Sequence, residues 1–211
     1  MSANIFSEPD KEILDRRGTI VEHLACLVSS DGLITDRDEC RAYETDGLAV
    51  YRRIPLAVVL PTSTDEVSAV LKFCHDNGVK VVPRGAGTSL AGGAIPTEDA
   101  IVLGLSRMSR VLEINYDDRF IRVEAGVTNL SITSAVSDRG FFYAPDPSSQ
   151  LACTIGGNIA NNSGGAHCLK YGVTTNNLLG IRLVLIDGTI LDLGGNSLDS
   201  GGLDLLGVVV G

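Results

Sequence analysis

The alternation of apolar and polar residues between positions 56 and 82 predicts a strand, a helix and a second strand. Residues 56–60 form a short apolar run that is typical of a buried strand, and residues 79–82 form another. Between them, Ser63 and Glu66 have the spacing of a capping box, and Gly78 is placed to end the helix that begins there. The apolar positions of this helix follow its turn period at Val67, Val70, Leu71 and Cys74.

The patterns of apolar residues that are typical of strands and of helices continue through the rest of the chain. They predict, in order, a helix at 20–28, strands at 101–105, 111–114 and 120–125, and a helix at 128–138 that Gly140 ends. The dipeptide Asp187-Gly188 separates apolar runs at 181–186 and 189–193, which predicts a hairpin with a type I′ turn. Because crossover and hairpin connections occur together, we predict an α+β fold of two subdomains.

Two glycine-rich stretches carry the candidate chemistry. The first loop, residues 83–93, reads P-R-G-A-G-T-S-L-A-G-G, and the second loop, residues 145–172, contains T-I-G-G-N-I-A-N-N-S-G-G. Where residues lack Cβ, a backbone can approach a ligand closely and direct several N–H groups to one anion. Tight turns alone would explain one such loop, whereas two in a small domain indicate a large, phosphate-bearing cofactor.

Composition and charge narrow the class of protein. The chain has 211 residues, of which 44% are apolar, enough for one domain with a core of its own. We assign residues 1–50 to an N-terminal segment and residues 51–211 to the domain. The formal charge of −9 has the wrong sign for binding nucleic acid. The N-terminus has no apolar signal region and no stretch approaches the roughly eighteen apolar residues of a membrane span, so neither secretion nor insertion is predicted.

The five cysteines are odd in number and scattered, which argues against a disulfide framework and against a zinc site. A reducing cytoplasm fits this pattern. The chain ends in an apolar stretch, residues 203–211, and we therefore expect the domain to continue beyond Gly211. In the second loop, His167 and Cys168 are adjacent. We expect His167 and Cys168 to lie in an extended segment, one packed and the other hydrogen-bonded, with no catalytic or metal-binding role.

Two familiar phosphate motifs fail in the first loop. The dinucleotide fingerprint G-x-G-x-x-G is broken because Leu90 stands where the third glycine should be, and no lysine follows the glycines as in nucleotide triphosphatases. What remains is a run of N–H donors, the hydroxyls of Thr88 and Ser89, and Arg84 as the nearby cation. The second loop adds neutral amide and hydroxyl groups, which suit the polar edges of a flavin ring.

Both loops, together with Y-E-T-D-G-L at 43–48, resemble the FAD-linked oxidases of the vanillyl-alcohol oxidase/PCMH superfamily. The likeness runs from about residue 43 to residue 211 and is strongest to the flavin subunits of bacterial glycolate oxidases, then to cytochrome-type D-lactate dehydrogenases. It implies a PCMH-type FAD-binding domain of two α+β subdomains with FAD between them, here incomplete at the C-terminal end. The diphosphate contacts that it implies are Arg84, Gly85, Ala86, Gly87, Thr88 and Ser89. The contacts to the flavin and its ribityl chain are Pro145, Asp146, Ser149, Thr154, Gly156, Gly157, Asn162, Ser163, Gly165 and Tyr171.

The resemblance also implies how the flavin is held. Relatives that attach it to a histidine of the first loop carry that histidine where this chain has Thr88, so this linkage is ruled out. Cys153 falls near the position of a cysteinyl linkage in other relatives, but the glycolate-oxidase-like members resemble this chain there and bind FAD non-covalently. We therefore expect non-covalent FAD.

The implied activity is oxidation of a D-2-hydroxy acid, most readily glycolate, to the 2-oxo acid by hydride transfer to the flavin. The implied partners are an iron–sulfur subunit and a second flavin-type subunit, in the cytoplasm or peripheral at the inner membrane through those subunits. The family's substrate-binding residues lie beyond Gly211, so no catalytic residue is assigned. Three alternatives stay open: a D-lactate dehydrogenase, a relative of the ether-lipid synthases, and a non-catalytic nucleotide-binding module that needs only the first loop.

Overall fold

A computed structural model describes residues 8–196 and 202–211. The chain divides into two compact units. The first unit comprises Met1–Gly104 with Leu185–Thr189, and the second comprises Leu105–Val184 with Ile190–Gly211.

The first unit is built on a mixed sheet with helices. Its strands are β1 (Leu33–Ile34), β2 (Ala57–Val59), β3 (Lys80–Arg84) and β4 (Ala100–Gly104), in the order β1-β2-β4-β3. Strands β2 and β3 pair in parallel with β4, whereas β1 pairs antiparallel with β2. The helices are α1 (Lys11–Asp15), α2 (Arg17–Leu27), α3 (Arg37–Cys40) with a 3-10 turn at Arg41–Tyr43, and α4 (Thr64–Asn77). Buried Cys40, Val58 and Val102 form one core cluster.

Helix α4 begins and ends where its sequence predicts. The Ser63 hydroxyl accepts the Glu66 N–H at 3.2 Å, and Gly78 follows the helix in the left-handed region with φ 69°. The Glu66 carboxylate accepts the N–H of Thr62 at 2.7 Å, one residue before the usual partner in a capping box. The predicted strand-helix-strand unit is confirmed, with β4 inserted between its two strands.

The second unit contains two antiparallel hairpins and short helices. Its elements are β5 (Val111–Asn115), β6 (Phe120–Val123), α5 (Asn129–Val136) with a 3-10 turn at Ser137–Arg139, α6 (Ile155–Ala160), α7 (Cys168–Tyr171), a 3-10 turn at Thr174–Asn177, β7 (Gly180–Val184), β8 (Ile190–Gly194) and α8 (Leu205–Val209). Val127, Ile132 and Ile155 form its buried cluster. The predicted α+β class is confirmed.

The type I′ turn predicted at Asp187-Gly188 is wrong. That turn needs positive φ at both residues, and only Gly188 has it, with φ 85°. The Asp187 carboxylate accepts the N–H of Thr189 at 2.9 Å, which stabilises a conformation without positive φ at Asp187. The turn is wider, since the Leu185 N–H donates to the Thr189 carbonyl at 2.8 Å and the strands stop at Val184 and Ile190.

Within the described ranges, no helix combines the length and the apolar character needed to cross a membrane. The described residues also place no three His, Cys, Asp or Glu side chains together as a metal site would require.

Candidate functional site

The first loop leaves β3 at Arg84 and offers consecutive backbone donors. Gly87 adopts positive φ, at 70°, which a residue with a side chain rarely tolerates. Within the described part of the chain, the N–H groups of residues 85–88 donate to no acceptor of the protein. Consecutive N–H groups in a turn that passes through the left-handed region form a concavity suited to an anion. The loop therefore has the backbone geometry of a phosphate cradle.

Arg84, the nearest cation, is turned into the protein. Its side chain is buried, and Nη1 donates to the carbonyl of Thr45 at 2.6 Å and to that of Ala94 at 3.2 Å. Its Cζ lies 5.6 Å from the centre of the Tyr43 ring. Both hydrogens of Nη1 are therefore donated to backbone carbonyls, one in the segment at Thr45 and one directly after the loop at Ala94.

The guanidinium also packs directly against the loop. A Cβ added to Gly87 would collide with Nη2 and Cζ of Arg84. Burial lowers the pKa of Arg84, whereas the neighbouring Tyr43 and Asp46 act in the opposite direction. The charge of Arg84 is thus desolvated and is stabilised by groups of the protein.

A second segment, residues 45–48, is hydrogen-bonded to the loop. The buried Asp46 carboxylate accepts the N–H of Gly92 and that of Leu48, each at 3.0 Å. The N–H of Gly47 donates to the Ser89 carbonyl at 2.9 Å, and a Cβ on Gly47 would lie 2.6 Å from the Thr88 oxygen. This contact requires glycine at position 47. Sequence analysis found the segment only through the family resemblance.

A small cavity opens beside this arrangement. Its volume is about 280 Å³, and its walls include Asp46 and the apolar side chains of Leu48, Tyr51, Leu90 and Ile95. The first loop therefore borders an apolar recess with its later residues, Leu90 to Gly92.

The second loop is organised by buried amide side chains. Asn129, at the start of α5, donates from Nδ2 to the Pro145 carbonyl at 3.0 Å and to Asn158 Oδ1 at 2.9 Å. Asn158 in turn donates to the sulfur of Cys153 at 3.2 Å. This chain of contacts ties α5, the entry of the second loop and α6 together. Sequence analysis missed both asparagines; the available signal was a polar residue inside each apolar helical stretch.

Helix α6 contains part of the predicted flavin segment. Thr154 is its N-cap, and its hydroxyl accepts the Gly157 N–H at 3.3 Å. A Cβ on Gly156 would lie 3.0 Å from the Ala125 carbonyl oxygen, and one on Gly165 would collide with the Asp146 backbone. The neighbouring backbone leaves little room for a side chain at either of these two glycines. Their contact with flavin stays a prediction.

Asp146 and His167 close the second loop across 21 residues. His167 Nδ1 lies 2.6 Å from Asp146 Oδ2, and the His167 N–H donates to Oδ1 at 3.2 Å. The hydrogen bonds from His167 lower the pKa of Asp146. The half-buried Cys168 accepts the Gly165 N–H at 2.9 Å, so both His167 and Cys168 are hydrogen-bonded, where one packed and one hydrogen-bonded residue were predicted. The extended backbone expected there is wrong, because Cys168 begins α7.

The remaining predicted residues of the second loop mostly support its backbone. Asn162 adopts positive φ, at 45°, and its side chain accepts the Thr175 N–H at 3.0 Å. The Ser163 carbonyl accepts the Thr174 hydroxyl at 2.7 Å, and the Ser149 carbonyl accepts N–H groups of the following turn. Tyr171 packs edge-on against Phe142, with ring centres 5.7 Å apart.

Comparison with known proteins decides the family. The family described as FAD binding domain matches residues 55–194 of the chain. The chain belongs to this family of FAD-binding domains. FAD is therefore its cofactor, and the first loop fits the diphosphate of FAD because residues 85–88 present N–H groups without intramolecular acceptors in the described chain.

The relatives in sequence are hydroxy-acid oxidoreductases by name. The chain is 52% identical over 174 residues to glycolate oxidase subunit GlcD of Escherichia coli, which covers 82% of this chain and 35% of the relative. It is 41% identical over 176 residues to D-lactate dehydrogenase of Archaeoglobus fulgidus, covering 82% and 39%. The resemblance drawn from the loops is confirmed. The chain spans little more than a third of the length of these curated relatives.

Solved structures support the fold. Alkyldihydroxyacetonephosphate synthase superposes with a TM-score of 0.80 at 21% identity, covering 100% of this chain and 40% of that one. For p-cresol methylhydroxylase the TM-score is 0.73 at 19% identity, covering 96% and 41%. The predicted PCMH-type FAD-binding fold is confirmed.

Proposed function

We propose that this chain is the FAD-binding portion of an oxidoreductase that oxidises a D-2-hydroxy acid to the 2-oxo acid, with glycolate as the preferred substrate. The observation that carries the proposal is the 52% identity to the glycolate oxidase subunit across 82% of the chain. When bound, FAD supplies the hydride acceptor of such a reaction. We further propose that the domain extends over residues 51–211, with residues 1–50 as an N-terminal segment.

The first loop holds the diphosphate in this proposal. Residues 85–88 donate backbone N–H groups, Ser89 adds its hydroxyl, and Arg84 supports the cradle from within. The flavin and ribityl contacts are the second-loop residues Pro145, Asp146, Ser149, Thr154, Gly156, Gly157, Asn162, Ser163, Gly165 and Tyr171.

We propose that FAD is bound non-covalently. Thr88 stands where a linking histidine would be, and the buried Cys153 sulfur is engaged by the Asn158 amide. Acid precipitation of the full-length protein should release all the flavin into the supernatant. Flavin that stays with the pellet would contradict this and would indicate a bond to Cys153.

The residues that bind and deprotonate the hydroxy acid are proposed to lie outside this chain, because the chain corresponds to about a third of its relatives. The partners are proposed to be an iron–sulfur subunit and a second flavin-type subunit, in the cytoplasm or at the inner membrane through them.

A D-lactate dehydrogenase is the second candidate, favoured by the 41% identity to the Archaeoglobus fulgidus enzyme. The test is anaerobic bleaching of the flavin in the full-length protein by glycolate, D-lactate and L-lactate, followed by dye-coupled turnover. We expect the highest kcat/KM with glycolate. A higher value with D-lactate would select the second candidate, and no bleaching by any of them would favour a non-catalytic nucleotide-binding module.

The 211-residue chain by itself is a control for this test. Loaded with FAD, it should give no turnover, since positioning the substrate against the flavin contributes about 7–11 kcal/mol and we assign no residue here to that task. Turnover above free FAD would show that the catalytic residues are present.

A further inference from the structure

We propose that Arg84 and Asp46 are positioning residues that brace the first loop, and that the Arg84 charge is not itself a ligand of the diphosphate. This inference rests on the proposed role of the first loop as the diphosphate cradle. It assigns a function to the Y-E-T-D-G-L segment, which the proposed function leaves without one.

The first step concerns the direction of the Arg84 side chain. Both Nη1 hydrogens are donated to carbonyls, those of Thr45 and Ala94, at 2.6 and 3.2 Å. The guanidinium carbon lies over the ring of Tyr43, 5.6 Å from its centre, and Gly87 lies against Nη2. With these contacts, the guanidinium ties the start of the loop to Ala94, the first residue after the loop, and to the segment at Thr45.

The second step concerns Asp46, whose side chain is buried beside a proposed anion site. A carboxylate there would by charge alone oppose a diphosphate. The carboxylate nevertheless accepts two backbone N–H groups, those of Leu48 and Gly92. Its contribution is therefore to join the segment at 45–48 to the end of the first loop. Its charge also favours the buried guanidinium of Arg84.

The third step concerns the effect on the donors. Asp46 holds the far end of the loop at Gly92, Gly47 holds its middle through the Ser89 carbonyl, and Arg84 holds its start. The stretch between these points, residues 85–88, has no hydrogen-bonded support of its own from the described residues. Its conformation, and therefore the placement of its N–H groups, depends on these contacts of Arg84, Asp46 and Gly47, which we call the brace.

The sign of one substitution separates this proposal from simple electrostatics. Asp46→Asn removes a negative charge near a dianionic ligand, so an electrostatic account predicts tighter FAD binding. The brace predicts weaker binding, by about tenfold, because an amide nitrogen cannot accept an N–H group, so one of the two bonds that hold the segment and the loop is lost. Asp65→Asn, at an exposed position of the same unit, is the matched control and should leave the dissociation constant unchanged.

Salt dependence supplies a second readout. The FAD-free full-length protein is titrated with FAD at several salt concentrations, by quenching of flavin fluorescence. Arg84→Met should weaken binding about tenfold or more without changing the slope of log Kd against log salt, because the lost group did not contact the phosphate. The double variant with Asp46→Asn should lose less than the product of the single effects, because both act on one loop conformation.

Unchanged or tighter FAD binding by Asp46→Asn, or a reduced salt slope for Arg84→Met, overturns the proposal. If Asp46→Asn does not fold, as judged by circular dichroism, Gly47→Ala is tested in its place. The Cβ of the alanine presses on the Thr88 oxygen without a change in charge. Normal FAD affinity in Gly47→Ala also overturns the proposal. Gly87→Val distinguishes the two failures. Normal FAD affinity there removes the first loop as a cradle, whereas lost affinity there with normal Asp46→Asn leaves the proposed function standing.

Discussion

The two glycine-rich loops look alike in sequence and are stabilised in opposite ways. The first loop is held at its two ends, by the side chain of Arg84 and by the segment around Asp46, and the N–H groups of residues 85–88 are left without partners in the described chain. The second loop is held along its length by side-chain contacts, those of Asn129 in α5 with Asn158 and of Asp146 with His167. A loop that must donate its backbone to a ligand needs support from elsewhere, whereas a loop that satisfies itself can present side chains.

The most severe test of this contrast is Gly87→Val in the first loop. We expect loss of detectable FAD binding, because valine strongly disfavours φ 70° and its side chain would displace the Arg84 guanidinium. The matched control is Gly93→Val, in the same loop, where a Cβ meets nothing within 4 Å. Flavin content after purification and the circular dichroism spectrum are the measurements. Retained flavin in Gly87→Val would show that the loop is only a turn.

In the second loop, Asn158→Ala should act mainly on stability. It leaves a buried Nδ2 donor of Asn129 without its acceptor, so we expect a loss of about 1–3 kcal/mol in the free energy of unfolding. Asn161→Ala, at an exposed position just after the same helix, loses a bond to the Gly157 carbonyl that water can replace, so it should change this free energy by only about 0.5 kcal/mol. Urea unfolding of the full-length protein measures both. Equal effects of the two variants would argue against a buried amide chain as the organiser of the second loop.

In the unit that carries the first loop, the buried carboxylate of Asp99 makes the stability of the fold depend on pH. Burial by itself raises the pKa of Asp99, but hydrogen bonds from Lys80, Thr97 and the Asp10 N–H outweigh it and lower the pKa from 3.8 to about 2. A lowered folded-state pKa stabilises the fold above pH 3.8, and this contribution is lost as the pH falls toward 2. Asp99→Asn should therefore remove roughly 2 kcal/mol at pH 7.

The pH dependence checks the Asp99 prediction. The difference in unfolding free energy between Asp99→Asn and the unsubstituted protein should shrink as the pH falls from 4 to 2. A difference that stays constant over this range would mean that the carboxylate of Asp99 is not preferentially stabilised in the folded state.

The smallest expected effect is that of His167→Ala on the second loop. The substitution removes the imidazole bond and keeps the backbone N–H bond of residue 167, so the pKa of Asp146 should rise part of the way toward its ordinary value, which carbon NMR of the labelled carboxyl group can follow. Because the folded-state pKa is lowered, this contact stabilises the loop at neutral pH and is lost on acidification. Amide exchange near Gly165 should increase, while exchange in the first loop should not change. Faster exchange in both loops would contradict the independence of their supports.

Local signals in the sequence predicted the regular elements well. Ser63 and Gly78 bound α4 as predicted, because a cap and a left-handed glycine act within a few residues of the helix end. At Asp187 the dipeptide pattern failed, since the carboxylate bonds to the backbone of Thr189 and favours a wider turn. The insertion of β4 between β2 and β3 has no local signal and depends on how the whole first unit packs.

The sequence by itself determined the order of strands and helices, the two loops and, through their residues, the family and its FAD. Tertiary structure alone decided what the polar groups of those loops contact. Arg84 is the plainest case: as a cation beside glycines it predicts a phosphate ligand, yet it binds the carbonyl of Thr45, 39 residues away. Asn129 meets Asn158 over 29 residues. Backbone propensities act between near neighbours along the chain, whereas the partner of a buried polar group is set by which distant segments the core brings together.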